Sequence, residues 1–302
     1  MRMKVLVIGG TGMIGANTAV HLSGAGHAVT VAGRHEPDAD SLVAGLPVLL
    51  GDYAHDGFDE AALAPFDAVV FAAGQDIRHV TGWGDEEFWR TYQIDGVTSI
   101  AARAKRAGVG RFVQIGSYYH QVRPDLAETN PYVDARRLAD EGARALAGDG
   151  FAVCTLNPPS IVGMAPGRST RQFAKMLAWA DGELAGKVPD FAPVGGTNYL
   201  SVRSLAEAVE GALLRGESGA AYLVGDENLS FRDYFQLIFD VSGSGRTLEE
   251  RDEEHPFLPD RVLVPGRGAT IAYEPDARET ELLGYRRRDV RPMLEEMTAA
   301  VR

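Results

Sequence analysis

Residues 5–15 read VLVIGGTGMIG, four apolar residues followed by a turn rich in glycine. The turn satisfies two overlapping patterns, Gly-x-x-Gly-x-x-Gly from Gly9, Gly12 and Gly15, and Gly-x-Gly-x-x-Gly from Gly10, Gly12 and Gly15. Glycines also mark many turns for purely steric reasons, so the pattern gains its meaning from its context. A buried strand precedes it, and a helix is predicted over residues 13–23. A turn at this place lets the backbone approach a dinucleotide diphosphate at a helix N-terminus.

The strands predicted after this turn indicate a parallel sheet. Segments such as AVVF at 68–71 are apolar at successive positions, as in strands that are buried on both faces. Helical segments with one apolar side lie between most of them, as expected for crossover helices. We therefore predict an α/β fold with a doubly wound parallel sheet of the Rossmann type. Its predicted strands are 4–8, 28–32, 48–50, 68–72, 111–115 and 152–156.

The sequence pattern changes after Leu156, where Asn157-Pro158-Pro159, Met164-Ala165-Pro166-Gly167 and Gly195-Gly196 break the chain into loops and short elements. We predict a dinucleotide-binding Rossmann domain over residues 1–157, to which residues 198–225 return. Residues 158–302 are then mainly a smaller, C-terminal substrate-binding region.

Charge and composition exclude several classes of function. The 302 residues carry a formal net charge of -12, so no broad basic field is available for nucleic acid. No apolar run approaches the roughly 18 to 20 residues that span a bilayer. The seven histidines show no metal-ligand spacing, and the one cysteine, Cys154, falls in a predicted strand. We expect a cytoplasmic protein without a metal site, with no nucleic-acid or membrane partner.

The end of the second strand predicts which nicotinamide is bound. NAD sites usually offer a carboxylate there, whereas this strand runs into Gly33-Arg34-His35. Arg34 suits a 2′-phosphate, so NADP is favoured and NAD stays possible; the alternative is a solvated loop arginine. Asp52, after the third strand, is predicted to accept from the adenine amino group, or else only to form a turn.

These residues resemble the extended short-chain dehydrogenase/reductases, the NAD(P)-dependent epimerase/dehydratase family that also includes dihydroflavonol-type reductases. Similar segments are Gly51-Asp52-Tyr53, Phe71-Ala72-Ala73-Gly74, Gln93-Ile94-Asp95-Gly96 and Tyr222-Leu223-Val224-Gly225. The resemblance implies a set of cofactor-binding residues. They are Gly9, Thr11, Gly12, Met13, Ile14, Gly15, Arg34, Asp52, Tyr53, Ala72, Ala73, Gly74, Tyr132, Arg136, Pro158 and Ser160.

The resemblance also implies three catalytic residues: Ser117, Tyr132 and Arg136. The family has Tyr-x-x-x-Lys, and here arginine replaces the lysine. Residues four apart share a helix face, so Tyr132 and Arg136 can project toward one cofactor, where a cation makes a phenolate more accessible. Arginine does not readily give up a proton, which would remove a relay through a lysine amine. The alternatives are a packed aromatic for Tyr132 and a turn-capping hydroxyl for Ser117.

The resemblance implies an oxidoreductase that transfers a hydride between nicotinamide and a carbonyl or alcohol of a small organic substrate. Two alternatives stay open: a nucleotide-sugar epimerase or dehydratase with tightly bound cofactor, and a non-catalytic NADP-sensing protein. Trp83, Trp89, Phe173 and Trp179 are expected in the substrate pocket and favour a partly apolar substrate, and Tyr118 and Tyr119 are expected in its wall. Arg168, Arg171 and Lys175 are interpreted as a solvated helix face, or else as a grip for a nucleotide diphosphate. A homodimer through residues 86–107 and 132–147 is possible.

Overall fold

A seven-stranded parallel sheet forms the centre of the computed structural model, which describes residues 2–55, 57–75 and 85–302. Within those residues its strand order is β10-β6-β5-β4-β1-β2-β3. The strands are β1 (Lys4–Ile8), β2 (Ala28–Gly33), β3 (Val48–Leu50), β4 (Ala68–Phe71), β5 (Arg111–Ile115), β6 (Ala152–Asn157) and β10 (Ala221–Leu223). The order reverses beside β1, so the carboxyl ends of β1 and β4 border a crevice in which ligands bind in such folds.

The predicted doubly wound fold is confirmed, and all six predicted strands are present. The bounds differ slightly: β2 extends to Gly33, β6 extends to Asn157, and β4 ends at Phe71. Strand β10 comes from the stretch that was expected to return to this domain, and it pairs with β6 in parallel.

Helices cover both faces of the central sheet. One face packs against α1 (Met13–Gly24) and α9 (Val202–Arg215), and the other against α4 (Gly96–Arg106) and α7 (Pro131–Arg144). The strand side chains are buried on both faces, for example Val69 and Val70 of β4 at 0% exposure. Burial on both sides is why their sequences are apolar at successive positions. The short helices are α2 (Glu60–Leu63), α3 (Glu86–Trp89), α5 (Tyr119–Val122) and α6 (Asp125–Thr129), with 3-10 turns at Tyr53–His55 and Asp260–Val262 and a π-helical segment at Arg90–Asp95.

The C-terminal half builds a second apolar cluster around Trp179, Phe235 and Phe239. Two small sheets join it, one in the order β11-β9-β7 and one in the order β12-β8. Its elements are β7 (Ser160–Val162), α8 (Arg168–Ala180), β8 (Phe191–Pro193), β9 (Gly196–Ser201), β11 (Glu227–Ser230), α10 (Phe231–Ser242), β12 (Glu249–Arg251) and α12 (Val290–Val301). Helix α11 (Ala277–Leu283) packs instead against α9. The domain boundary at residue 157 stays a prediction.

None of the helices in the described ranges combines the length and the apolar character that crossing a membrane requires.

Candidate active site

Two glycines of the turn between β1 and α1 are required by the packing of the chain itself. Gly9 has φ of +80°, and a Cβ placed on it would lie 2.6 Å from the amide nitrogen of Ala73. A Cβ on Gly15 would lie 2.2 Å from the carbonyl oxygen of Gly9. Both contacts are closer than carbon can approach backbone atoms, so these positions accept only glycine.

Gly12 differs, because the protein does not fill the space beside it. A Cβ on Gly12 would meet only the Gly9 oxygen, at 3.4 Å. Gly12 is also the N-cap of α1, which has no side-chain cap and no acidic residue in its first turn. The first bond into the helix runs from the Ala16 amide to the Gly12 oxygen at 2.8 Å. The amides of Met13, Ile14 and Gly15 therefore lack helical acceptors, and Met13 and Ile14 line the larger cavity. A free helix N-terminus of this kind can bind the diphosphate of a dinucleotide.

Two adjoining cavities follow the carboxyl ends of the strands. The smaller holds about 230 Å³ and the larger about 910 Å³, and Ala72, Gly74 and Gln75 border both. The smaller cavity is lined by Gly9, Thr11, Gly12, Arg34, Asp52, Tyr53, Ala72, Ala73 and Gly74. The larger is lined by Met13, Ile14, Ala72, Gly74, Ser117, Tyr132, Arg136, Pro158 and Ser160. Of the predicted site residues, Gly15 alone is absent from both linings, because it packs beneath the turn.

Three predicted residues of the smaller cavity differ in whether their side chains already have hydrogen-bond partners in the protein. Arg34 is exposed at the end of β2. Asp52 already has partners: its carboxylate accepts from the Ala54 amide at 3.1 Å and lies 3.1 Å from Nδ1 of His55. Tyr53 is buried, and its hydroxyl donates to the Tyr92 oxygen at 2.8 Å. Asp52 thus forms the turn that was one of its two interpretations, and Tyr53 supports the cavity wall.

Ser117 lies just beyond β5 and is held through its backbone. Its amide donates to Oδ1 of Asn157 at 2.9 Å, and the residue is 5% exposed. The Asn157 side chain fits closely there, because a Cβ on the neighbouring Gly116 would lie 2.0 Å from the same oxygen. The Ser117 hydroxyl has no hydrogen-bond partner among the residues that the structure describes. It therefore lines the cavity as an available donor and acceptor.

Tyr132 lies in the first turn of α7, where the local sequence fixes its place. Asn130 caps the helix by accepting from the Tyr132 amide at 3.0 Å, and Pro131 follows the cap. Proline at the first helical position is preorganised for this geometry. The ring packs against Trp89 at 5.2 Å between centroids, and 8% of the residue is exposed.

Arg136, one turn further along α7, is buried between protein acceptors. One terminal nitrogen donates to Oε1 of Gln93 at 3.2 Å, and the other donates to the Gly116 oxygen. Its Nε is buried without an acceptor in the described part of the chain. The guanidinium carbon lies 6.0 Å from the centroid of the Tyr132 ring. Arg136 thus places a cation beside the phenol.

Asp140, a further turn along α7, connects the helix to the residues behind Ser117. Its carboxylate accepts from Nε2 of His120 at 2.9 Å, Nε of Arg144 at 2.5 Å and Nδ2 of Asn157 at 3.3 Å. Burial would raise the pKa of Asp140, but the hydrogen bonds from His120 and Arg144 outweigh it and lower the pKa to about 2. The site is therefore supported by a carboxylate that stays ionised.

Aromatic residues wall the larger cavity, although not all of those that were expected there. Tyr118 and Tyr119 line it, and burial raises the pKa of both phenols. The expectation that Trp89, Phe173 and Trp179 line the pocket was wrong, since all three are buried in apolar clusters. Trp83 and His79 lie outside the described residues. Across residues 2–55, 57–75 and 85–302, no three histidine, cysteine or acidic side chains are grouped to hold a metal ion.

Two groups of residues at the site were not singled out from the sequence. Gln93 lies in the π-helical segment, holds Arg136, and donates to the Gln75 oxygen at 2.7 Å. Gln93 belongs to the segment Gln93-Ile94-Asp95-Gly96, whose resemblance to the family indicated that it matters but did not indicate its partner. Residues 256–259 and 261–266, including Arg261, line the larger cavity from a distant part of the chain. No local motif marks that segment.

The glycine turn, the sheet and the paired cavities define an α/β protein of the dinucleotide-binding class. The model of the NAD dependent epimerase/dehydratase family matches residues 5–225, and the chain belongs to that family. Its members and structural neighbours are NAD-dependent enzymes, both epimerases and reductases.

Individual relatives are distant. A Synechocystis sp. protein that carries the provisional name dihydroflavonol 4-reductase is 26% identical over 257 residues, which cover 78% of this chain and 72% of the relative. The UDP-N-acetylglucosamine 4-epimerase from Bacillus cereus has a TM-score of 0.74 at 14% identity, with 99% of each chain covered. The UDP-glucose 4-epimerase from Bifidobacterium longum, in complex with NAD+ and UDP, has a TM-score of 0.70 at 16% identity, with 98% of each chain covered. At these identities the two structures establish the shared fold.

Proposed function

We propose that this protein is an oxidoreductase that reduces a carbonyl group, or oxidises the corresponding alcohol, of a small organic substrate. One observation carries the proposal: Ser117, Tyr132 and Arg136 border a single cavity that adjoins the glycine turn. Gly12 and the following amides would hold a nicotinamide dinucleotide, which would supply or accept the hydride when bound. The protein has only to bind the substrate, orient it and move one proton.

The proton would move through Tyr132. Its phenol and the Ser117 hydroxyl can both hydrogen-bond the oxygen of a substrate carbonyl, and the phenol then donates its proton to that oxygen. Arg136 stabilises the resulting phenolate, because its guanidinium lies 6.0 Å from the ring centroid. Since arginine holds its own protons firmly, the phenolate regains its proton from solvent in this proposal, without passing it through residue 136.

Tyr132→Phe tests this role. The variant should bind dinucleotide with unchanged affinity in calorimetry, yet oxidise NADPH with a panel of ketones and aldehydes at least about a hundredfold more slowly, because a positioned general acid contributes on that order. Tyr222→Phe is the matched control, since its hydroxyl accepts from the Glu217 amide at 2.7 Å outside both cavities. Full activity of Tyr132→Phe would remove this tyrosine from the mechanism.

We also propose that the preferred dinucleotide is NADP(H). Arg34 is exposed in the smaller cavity and forms no ion pair within the part of the chain that the structure describes. A 2′-phosphate would give it a bidentate partner. NAD stays the alternative, and the solved neighbour from Bifidobacterium longum holds NAD+.

Arg34→Ala measures this preference. A lost charge-assisted bond should weaken NADP+ binding by roughly 10- to 100-fold in titration calorimetry and leave NAD+ binding within about twofold. Arg2→Ala is the control, because it removes an exposed arginine from outside the cavity. Equal losses for both dinucleotides, or tighter binding of NAD+ by the unmodified protein, would contradict the proposal.

A nucleotide-sugar epimerase or dehydratase is the second candidate, favoured by the epimerase neighbours that cover nearly the whole chain. Such an enzyme reoxidises its cofactor within one turnover, so the purified protein would release nicotinamide on denaturation and show no net oxidation of NADPH. Reversible binding without either behaviour would indicate a sensor. Pairing of two copies through residues 86–107 and 132–147 likewise stays a prediction.

A further inference from the structure

The backbone around Ser117 is held by two different kinds of hydrogen bond. The amides of Gly116 and Tyr118 donate to main-chain oxygens in or next to β6, at 2.7 and 3.3 Å. The Ser117 amide, which lies between them, donates instead to the side-chain Oδ1 of Asn157 at 2.9 Å. The placement of Ser117 therefore depends on the orientation of one side chain, whereas its two neighbours are held by the main chain.

The Asn157 side chain uses both ends of its amide group inside the protein. The residue is 0% exposed, and its Nδ2 donates to Oε1 of Gln121 at 3.0 Å and to Oδ2 of Asp140 at 3.3 Å. A Cβ on Gly116 would lie 2.0 Å from the Asn157 oxygen, so the side chain is also closely confined on the β5 side. Buried amide groups that are paired at both ends have a single favourable orientation.

Asp140 determines which end of that amide faces Ser117. Its buried carboxylate forms an ion pair with Arg144 at 2.5 Å, and the oxygen that faces Asn157 also accepts from Nε2 of His120 at 2.9 Å. An ionised carboxylate accepts hydrogen bonds and cannot donate one, so the Asn157 nitrogen must face Asp140. The Asn157 oxygen is thereby left for the Ser117 amide. A reversed amide would set oxygen against oxygen at one end and nitrogen against nitrogen at the other.

We infer that Asn157 is a positioning residue for Ser117, and that the negative charge of Asp140 sets the direction of this contact. With its amide held, Ser117 presents its hydroxyl from a fixed backbone to the cavity that Tyr132 also borders. The inference rests on the proposed function only for the chemistry that this hydroxyl performs.

Exchanging the donor and the acceptor between positions 140 and 157 tests the direction of the contact. Asn157→Asp places two carboxylates face to face, so the Ser117 amide should exchange its hydrogen with solvent at least about tenfold faster, as measured by NMR. Asp140→Asn/Asn157→Asp restores one donor and one acceptor, and exchange should return to within about threefold of the unmodified protein. His120 can accept in this double variant, since its Nδ1 is buried without a partner among the described residues and can carry the ring proton.

Two further variants separate the charge from the loss of the contact. Asn157→Leu removes the acceptor without adding a charge, and it should also speed exchange of the Ser117 amide about tenfold. Asn228→Asp is the matched control, because it makes the same substitution at an exposed asparagine outside both cavities. It should leave the exchange of the Ser117 amide unchanged.

A kinetic cycle with Ser117→Ala distinguishes positioning from a general structural role. If Asn157 acts through the Ser117 hydroxyl, Asn157→Leu should lower kcat for carbonyl reduction about tenfold in the unmodified background. The same substitution should lower kcat less than about twofold once Ser117 is alanine, because the hydroxyl that it positions is already absent. A structural role alone would give equal losses in both backgrounds.

The outcomes separate this inference from the proposed function. Unchanged exchange of the Ser117 amide in Asn157→Asp and Asn157→Leu overturns the inference, and so does a double variant that recovers no protection. Equal kcat losses in the two backgrounds also overturn it. If exchange follows the expected pattern but no form of the protein reduces a carbonyl compound, the proposed function fails and the positioning of Ser117 stands.

Discussion

Arg136 shows how a single replacement changes what a side chain contributes to a site. Lysine would present one compact ammonium, whereas the planar guanidinium reaches two acceptors at once, Gln93 and the Gly116 carbonyl. Gly74 leaves room for it, since a Cβ there would lie 2.9 Å from Nη1 of Arg136. The arginine therefore ties the end of β5 to the π-helical segment in addition to facing Tyr132.

Replacing Arg136 should lower the stability of the protein as well as its catalytic activity. Arg136→Met leaves two acceptors inside the protein without a donor, and we expect a loss of about 2 kcal/mol or more in the free energy of unfolding measured in urea. Arg137→Met is the control on the same helix. Arg137 pairs with Asp134 and Glu141 at the surface, so its loss should cost below about 1 kcal/mol. If the two variants lost the same free energy of unfolding, the hydrogen bonds of Arg136 would not be what stabilises this part of the fold.

Helix α7 organises the site at the scale of an element. Tyr132, Arg136 and Asp140 lie four residues apart and therefore share one face. The first contributes a phenol, the second a cation, and the third a carboxylate that binds His120 and Asn157. One face of one helix thus fixes the acid, its electrostatic partner and the support for Ser117.

The ionised state of Asp140 makes stability depend on pH. Its pKa is lowered from 3.8 to about 2 in the folded protein, so the carboxylate contributes fully above about pH 4, and this contribution is lost as the pH falls toward 2. The shift corresponds to about 2 kcal/mol. Asp140→Asn should lower the free energy of unfolding in urea at pH 6, and its difference from the unmodified protein should narrow toward pH 3.

Asp134→Asn is the control for this prediction, because Asp134 lies on the same helix in a half-exposed pair with Arg137. Its difference from the unmodified protein should stay below about 1 kcal/mol, because half-exposed ion pairs contribute little to stability. If Asp140→Asn differed from the unmodified protein equally at pH 6 and pH 3, the carboxylate would not be the group that titrates.

Over the whole molecule, the parallel sheet was predictable because its central strands are buried on both faces and are therefore apolar at successive positions. Val69 and Val70 are consecutive and equally buried, and no alternating polar position obscures the pattern. The glycine turn was predictable for a related reason, since Gly9 and Gly15 have no sterically permitted replacement. Ser117, Tyr132 and Arg136 were predicted as catalytic residues from the resemblance to the family, and that role stays a prediction.

Contacts between distant segments were not predictable in the same way. Gln93 and Arg136 are separated by 43 residues, and Arg261 approaches the cavity from a loop without a motif. The prediction that Trp89 and Trp179 line the pocket was wrong, because a large aromatic residue in the sequence fits a buried core as well as a pocket wall. Only the packing of the folded chain distinguishes these cases.

The open space beside Gly12 suggests a substitution that would abolish ligand binding while the protein still folds. An added methyl group at that position would touch a single backbone oxygen of the polypeptide, at 3.4 Å, and would otherwise occupy room that the chain leaves for a guest. An allele encoding Gly12→Ala would therefore produce a folded and abundant protein that does not bind the dinucleotide. Comparing a cell that carries this allele with a cell that lacks the gene would separate phenotypes due to lost dinucleotide binding from phenotypes due to the absence of the protein.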